Sequence, residues 1–147
     1  MSVATLYTAA FARRLIMVEA RDLDRPEAVA EAGERAWERL RRQMVILIGP
    51  EGFDALFARA LALTRAEYPM LAGIHYEATN GYALTGLRES AHEHAPTDLL
   101  DALVTVTAHF LAVLVRLIGA DLVVRLMREA WPELPPKDVD LSLEANE

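Results

Sequence analysis

The stretch from Leu99 to Ile118 is apolar on almost every helical face, and that pattern predicts a long helix buried in the core of the protein. A narrow polar line interrupts it. Asp101, Thr105, His109, Ala112 and Arg116 follow one another at spacings of four, four, three and four, which places them on a single face of a helix. A helix this apolar elsewhere has to be surrounded. Asp101, Thr105, His109 and Arg116 are therefore expected to meet polar groups at a helix junction or a subunit interface, and they form the candidate binding line of the chain.

Further amphipathic stretches complete the prediction of an all-α fold, an antiparallel bundle of about five helices. The first helix runs from about Val3 to Arg21, with Tyr7, Phe11, Leu15 and Val18 on its buried stripe. The second opens at Asp24-Arg25-Pro26-Glu27, an acidic cap with proline in the first turn, and ends at Ile48. Within it Val29, Gly33, Ala36, Leu40, Met44 and Leu47 recur at spacings of four and three, the pattern of a helix packed lengthwise along a neighbour. Gly49 suits the left-handed backbone that closes a helix, and Pro50 has no N–H with which to continue one. A third helix then reaches Tyr68 and stops before Pro69. The core helix follows Pro96 with Thr97 as its expected cap, and a last helix spans about Asp121 to Trp131.

Between Pro69 and Pro96 the helical period lapses. Ile74, Tyr76 and Ala78 alternate with His75, Glu77 and Thr79, and Asn80-Gly81 favours a tight turn, so a small β-hairpin insertion is expected over 69–96. The chain reads as one helical domain over residues 1–134 followed by an acidic tail over 135–147.

Two parts of the chain resemble each other. Leu47-Ile48-Gly49 recurs as Leu117-Ile118-Gly119, with an acidic residue, Glu51 or Asp121, two positions later. Tyr68-Pro69-Met70-Leu71 has a counterpart in Trp131-Pro132-Glu133-Leu134. The helix between the two motifs is seven residues shorter in the second copy, about two turns, so its buried face stays in register. The expectation is a duplicated helix-Gly-helix hairpin packed around a pseudo-twofold axis.

Composition narrows the function classes. A hydrophobic fraction of 53% and a mean hydropathy of +0.15 are high for a monomer of 147 residues, and they point to apolar surface covered in a homodimer or by another protein. A net charge of −7 argues against a nucleic-acid partner. Arg35, Arg39, Arg41 and Arg42 cluster, but Glu31, Glu34 and Glu38 alternate with them at helical spacing, which reads as a solvated, ion-paired face. The core helix approaches the length that spans a bilayer, yet Asp101, His109 and Arg116 would be costly in lipid, so no membrane partner is expected. The absence of cysteine excludes disulfides, thiolate metal sites and thiol nucleophiles. Arg13 and Arg14 follow the apolar residues at the start of the chain, unlike a signal peptide, and a cytoplasmic protein is expected. A single lysine, Lys137, among many arginines and alanines suggests a bacterial source with a GC-rich genome.

No catalytic constellation stands out in the sequence, and no cofactor is implied. The leading expectation is a non-enzymatic, self-associating adaptor. Two alternatives use the four histidines. The first is a metal or small-molecule binding protein that uses the histidines of the 75–109 region: Glu89 and His92 are three apart on one helical face, and with His94, and His75 and Glu77 from the hairpin, they supply a conceivable metal-ligand set. His92 and His94, two apart, share a metal only in an extended segment. His109, in mid-helix, has the location of a phosphotransfer histidine but lacks the lysine and glycine that commonly follow one. Its structural reading is a hydrogen bond across the bundle.

Overall fold

Proline sets where the two longest helices begin. A computed structural model describes residues 3–20, 22–77, 83–85, 87 and 91–134, with the backbone alone for 3–8, 75–77 and 83–85. Its helices are α1 (Val3–Glu19), α2 (Pro26–Glu67), α3 (Pro96–Ile118) and α4 (Ala120–Ala130). Pro26 and Pro96 occupy the first turn of α2 and α3, and Arg25 and Ala95, both extended, are the cap positions. Neither Asp24 nor Thr97 caps its helix as expected, because proline drives the residue before it out of the helical region and so fixes the boundary there.

Glycine sets where they turn back. Gly49 (φ 79, ψ 162) breaks α2, and Gly119 (φ 89, ψ 153) separates α3 from α4. Space does not demand glycine at either corner, since a Cβ would meet nothing within 4 Å; the positive φ does. Gly49 is itself non-helical and helical turns resume directly after it, so α2 is two helices joined across a kink, much as α3 and α4 meet at Gly119.

The two helical ends also match. Tyr68 (φ −127, ψ 85) and Trp131 (φ −126, ψ 67) each donate a backbone N–H to the residue four before, Thr64 and Met127, at 2.8 Å. The Leu71 N–H then bonds the Tyr68 carbonyl at 3.0 Å, and the Leu134 N–H bonds that of Trp131 at 3.1 Å.

The front half of α2 lies parallel to α3. A Cβ on Gly33 would stand 2.8 Å from Leu103 Cδ1, and four residues on, Trp37 Nε1 donates to Thr107 Oγ1 at 2.7 Å. Both pairs are separated by 70 residues, as are Pro26 from Pro96 and Gly49 from Gly119. Eight pairs of buried positions follow the same offset, whereas Ala28 of α2 and Val104, Ala108 and Leu111 of α3 are buried without a buried counterpart. Val29, Ala30, Ala32, Gly33, Ala36, Trp37, Leu40 and Met44 are buried in α2, and Leu99, Leu100, Ala102, Leu103, Val106, Thr107, Phe110 and Leu114 are buried in α3.

Each returning stretch reaches the other outgoing helix. The rear half of α2 sets Phe53 and Phe57 against Phe110 of α3, with ring centroids 5.2 and 6.2 Å apart. The end of α4 lies on α2, where Gln43 Nε2 donates to Glu129 Oε2 at 2.8 Å. Phe57 also meets Trp37 edge-on at 5.1 Å, so the core centres on four aromatic rings from α2 and α3. Burying each such side chain stabilises the fold by about 1.5–3 kcal/mol. From α1, Phe11, Leu15 and Ile16 add to this core, whereas Val18, expected on the same stripe, is exposed.

The segment that follows α2 is anchored at its start by Arg65, whose Nε donates to Leu71 O at 3.3 Å and whose Nη2 donates to Ile74 O. Strand β1 (His75–Glu77) then pairs antiparallel with β2 (Ala83–Thr85), with Tyr76 opposite Leu84. The Asn80-Gly81 turn and the tail over 135–147 lie outside the described residues.

Candidate functional site

The polar line of α3 divides into three fates. Asp101, at the level of α1, accepts from Arg13 Nη2 at 2.6 Å. One turn on, Thr105 Oγ1 donates to the Asp101 carbonyl at 2.7 Å, a bond within its own helix. Next comes His109, whose side chain is 22% exposed and whose Nε2 faces Glu67 Oε2, in the last turn of α2, at 3.5 Å. That is ion-pair range without hydrogen-bond geometry, and the nitrogen itself is buried. Arg116 departs from the expected pattern. It is exposed together with Leu117, while Val115 and Ile118 of the same turn still pack against the core.

These positions explain what the line does. Asp101 fastens α1 to α3, and His109 sits against the end of α2. Chemistry at His109 Nε2 would require an incoming phosphoryl group to approach past the Glu67 carboxylate, which repels it.

A second polar centre, assembled from all the elements around it, was hidden within the arginine cluster. Arg39 reaches Glu19 Oε1 of α1 at 2.9 Å and Glu133 Oε1, beyond α4, at 2.9 Å. Its Nη1 also donates to the Ala130 carbonyl at 3.2 Å, and the guanidinium lies over the Trp131 ring, 5.3 Å from its centroid. Arg35 Nη2 donates to the Glu19 carbonyl at 2.6 Å. Local pairing with Glu31, Glu34 and Glu38 was the sequence expectation for this face; Arg35 and Arg39 instead tie α1, α2 and the chain beyond α4 together. Glu19 is only 11% exposed, and Arg35 and Arg39 are the cations that face its carboxylate. The sequence signal was the spacing of four from Arg35 to Arg39 to Gln43, three polar residues that line one side of α2 where α4 crosses it.

Burial works against the charge of Glu133, but its own backbone N–H and the hydrogen bond and charge of Arg39 outweigh that effect. The net result is a carboxyl pKa below its ordinary value.

The proposed metal ligands are spread between described and undescribed positions. His92 Nδ1 lies 2.5 Å from Glu27 Oε1 of α2. His94 is half-buried, Glu89 lies outside the described residues, and His75 is described by its backbone in β1. Among the described residues, no three His, Asp or Glu side chains come close enough together to hold a metal ion.

Two broad surface hollows flank the corners. One, of about 440 Å³, is lined by Arg39, Arg42, Gln43, Ile46, Glu129 and Ala130; the other, of about 460 Å³, is lined by residues 118–122 and Arg125. The large apolar side chains beside them are exposed: Ile46 by 85%, Leu47 by 46% and Leu117 by 62%. By length and composition α3 is apolar enough to cross a membrane, and 61% of its most apolar window is buried inside the fold. No protein family, curated protein or solved structure matches the chain.

Proposed function

We propose that the protein is a non-enzymatic helical binding module, a cytoplasmic adaptor that holds other protein chains and self-associates as a homodimer. The observation that carries this reading is a contrast within one helix. Upstream, polar groups of α3 are turned toward groups of other helices, Asp101 paired with Arg13 and His109 facing Glu67, whereas its end exposes a large apolar side chain, Leu117, next to Arg116. An enzyme would be expected to hold polar groups ready for substrate instead.

The same reading takes the chain as a duplicated hairpin, 26–71 and 96–134, with α1 and a small β-hairpin insertion added. It is supported by the constant offset of 70 in prolines, glycine corners and buried positions, and by the matched endings at Tyr68 and Trp131. A duplicated hairpin is a scaffold with two similar faces, a form suited to recognition. Within it α3 is the core helix of a bacterial cytoplasmic protein.

The test is recovery of the tagged, full-length protein from its native host after mild cross-linking. A second polypeptide recovered at constant stoichiometry in independent preparations is the expected result. Recovery of the protein alone, bearing a stoichiometric metal or small molecule, would contradict it and favour the histidine-based alternative.

A further inference from the structure

The glycine corners lie at one end of the molecule, because α2 and α3 run parallel up to them. The stripe that joins the two helices is Gly33, Trp37, Leu40 and Met44 on α2 and Leu103, Thr107, Phe110 and Leu114 on α3, all buried. Its next position at the same spacing is Leu47 on one helix and Leu117 on the other. Both are exposed. Leu47 and Leu117 therefore carry the apolar stripe into solvent close to the two corners, with exposed Ile46 next to Leu47 in the chain, while Ile48 and Ile118 still pack against the core. Exposed residues of both charge signs surround this end: Glu51 and Asp121 immediately after the corners, and Arg42 and Arg116 one to two turns before them.

We infer that this corner end is the surface through which two copies of the chain pair, a conclusion that rests on the self-association proposed above. A twofold interface places a patch against itself, so the patch must be its own complement. An apolar centre meets that requirement, since Leu47 and Leu117 of one copy pack on those of the other. A rim carrying both signs meets it too, since the rotation brings arginines of one copy toward acids of the other. A partner of one strong charge would be repelled by half of that rim.

The test is sedimentation of the full chain across a micromolar range, for wild type, Leu117→Glu, Ile46→Glu and the control Leu63→Glu, whose exposed side chain lies on the rear half of α2. The three substituted side chains are all solvent-exposed, and circular dichroism verifies that each variant is folded. Wild type and Leu63→Glu are expected to dimerise alike. Leu117→Glu and Ile46→Glu should each weaken dimerisation by at least about thirty-fold, the loss typical of a central contact. A monomeric wild type would overturn self-association itself. A dimeric wild type whose affinity is unchanged in Leu117→Glu and Ile46→Glu, or equally reduced in Leu63→Glu, would leave self-association standing and overturn the corner end as its surface.

Discussion

The indole nitrogen of Trp37 donates to the hydroxyl of Thr107 at 2.7 Å, in a fully buried contact between two residues 70 positions apart in the chain. The same hydroxyl donates to the Leu103 carbonyl at 2.9 Å, so the threonine orients the indole while bonded to its own helix. Thr107→Val removes the acceptor and keeps the shape. It is expected to lower stability by about 1–3 kcal/mol, the cost of an unpaired buried donor, and Thr107→Ser by less. Urea unfolding should show the midpoint shifted with an unchanged slope.

Four residues earlier, Gly33 admits Leu103 against the backbone of α2. Gly33→Leu should destabilise by about 1–3 kcal/mol through overpacking, whereas Gly33→Ala gains helix propensity that offsets much of its clash. Adding Leu103→Ala to Gly33→Leu should recover part of the loss. Thermal unfolding of the single and double variants measures this coupling, and strict additivity would place the two residues apart.

The lowered pKa of Glu133 gives a pH dependence of known sign. A carboxyl held below its ordinary value of 4.5 contributes stability above that value, and the contribution is lost as pH falls through the folded pKa. Because Glu133 is largely solvated, the effect is small. Urea midpoints measured from pH 6 downward should fall less steeply below about pH 4.5 in Glu133→Gln than in the wild type, and Arg39→Gln should flatten the same region.

What was legible in the sequence was what local pattern encodes. Glycine followed by a restart signal marked both corners, and the spacing of apolar residues marked the lengthwise seam through Gly33, Leu40 and Leu47. Partners distant in sequence were not legible. Periodicity pairs Arg39 with glutamates of its own helix because it reports only neighbours along the helix, while its observed partners, Glu19 and Glu133, come from other segments. The match of Pro26 with Pro96 was present in the sequence, but its meaning depends on the parallel packing of α2 and α3, which no local signal reports. Arg116 differs for a related reason: helical phase groups residues on one face but does not report which part of that face a neighbour covers.

His109 tests the reading of the polar line. The buried Nε2 makes no hydrogen bond, so His109→Leu removes an imperfectly paired group and should leave stability within about 1 kcal/mol of the wild type, on either side. This is a smaller effect than a satisfied cross-bundle bond would give. Acid-labile phosphate on the wild type, introduced by a host kinase and absent from His109→Gln, would show instead that the residue is chemically active.

Everything proposed for the corner end depends on α2 and α3 running parallel, and the cysteine-free chain allows this to be measured with paired spin labels. Cysteines at Arg25 and Ala95 label the cap positions of the two helices, away from the corners; Arg25 paired with Leu117 labels opposite ends. Helix α3 has 23 residues and is about 35 Å long, while packed helices lie about 8–10 Å apart. Electron–electron distance measurements should therefore give less than about 25 Å for the 25–95 pair and a clearly longer distance for 25–117. The reverse order would mean antiparallel helices, separate the two corners, and contradict the account.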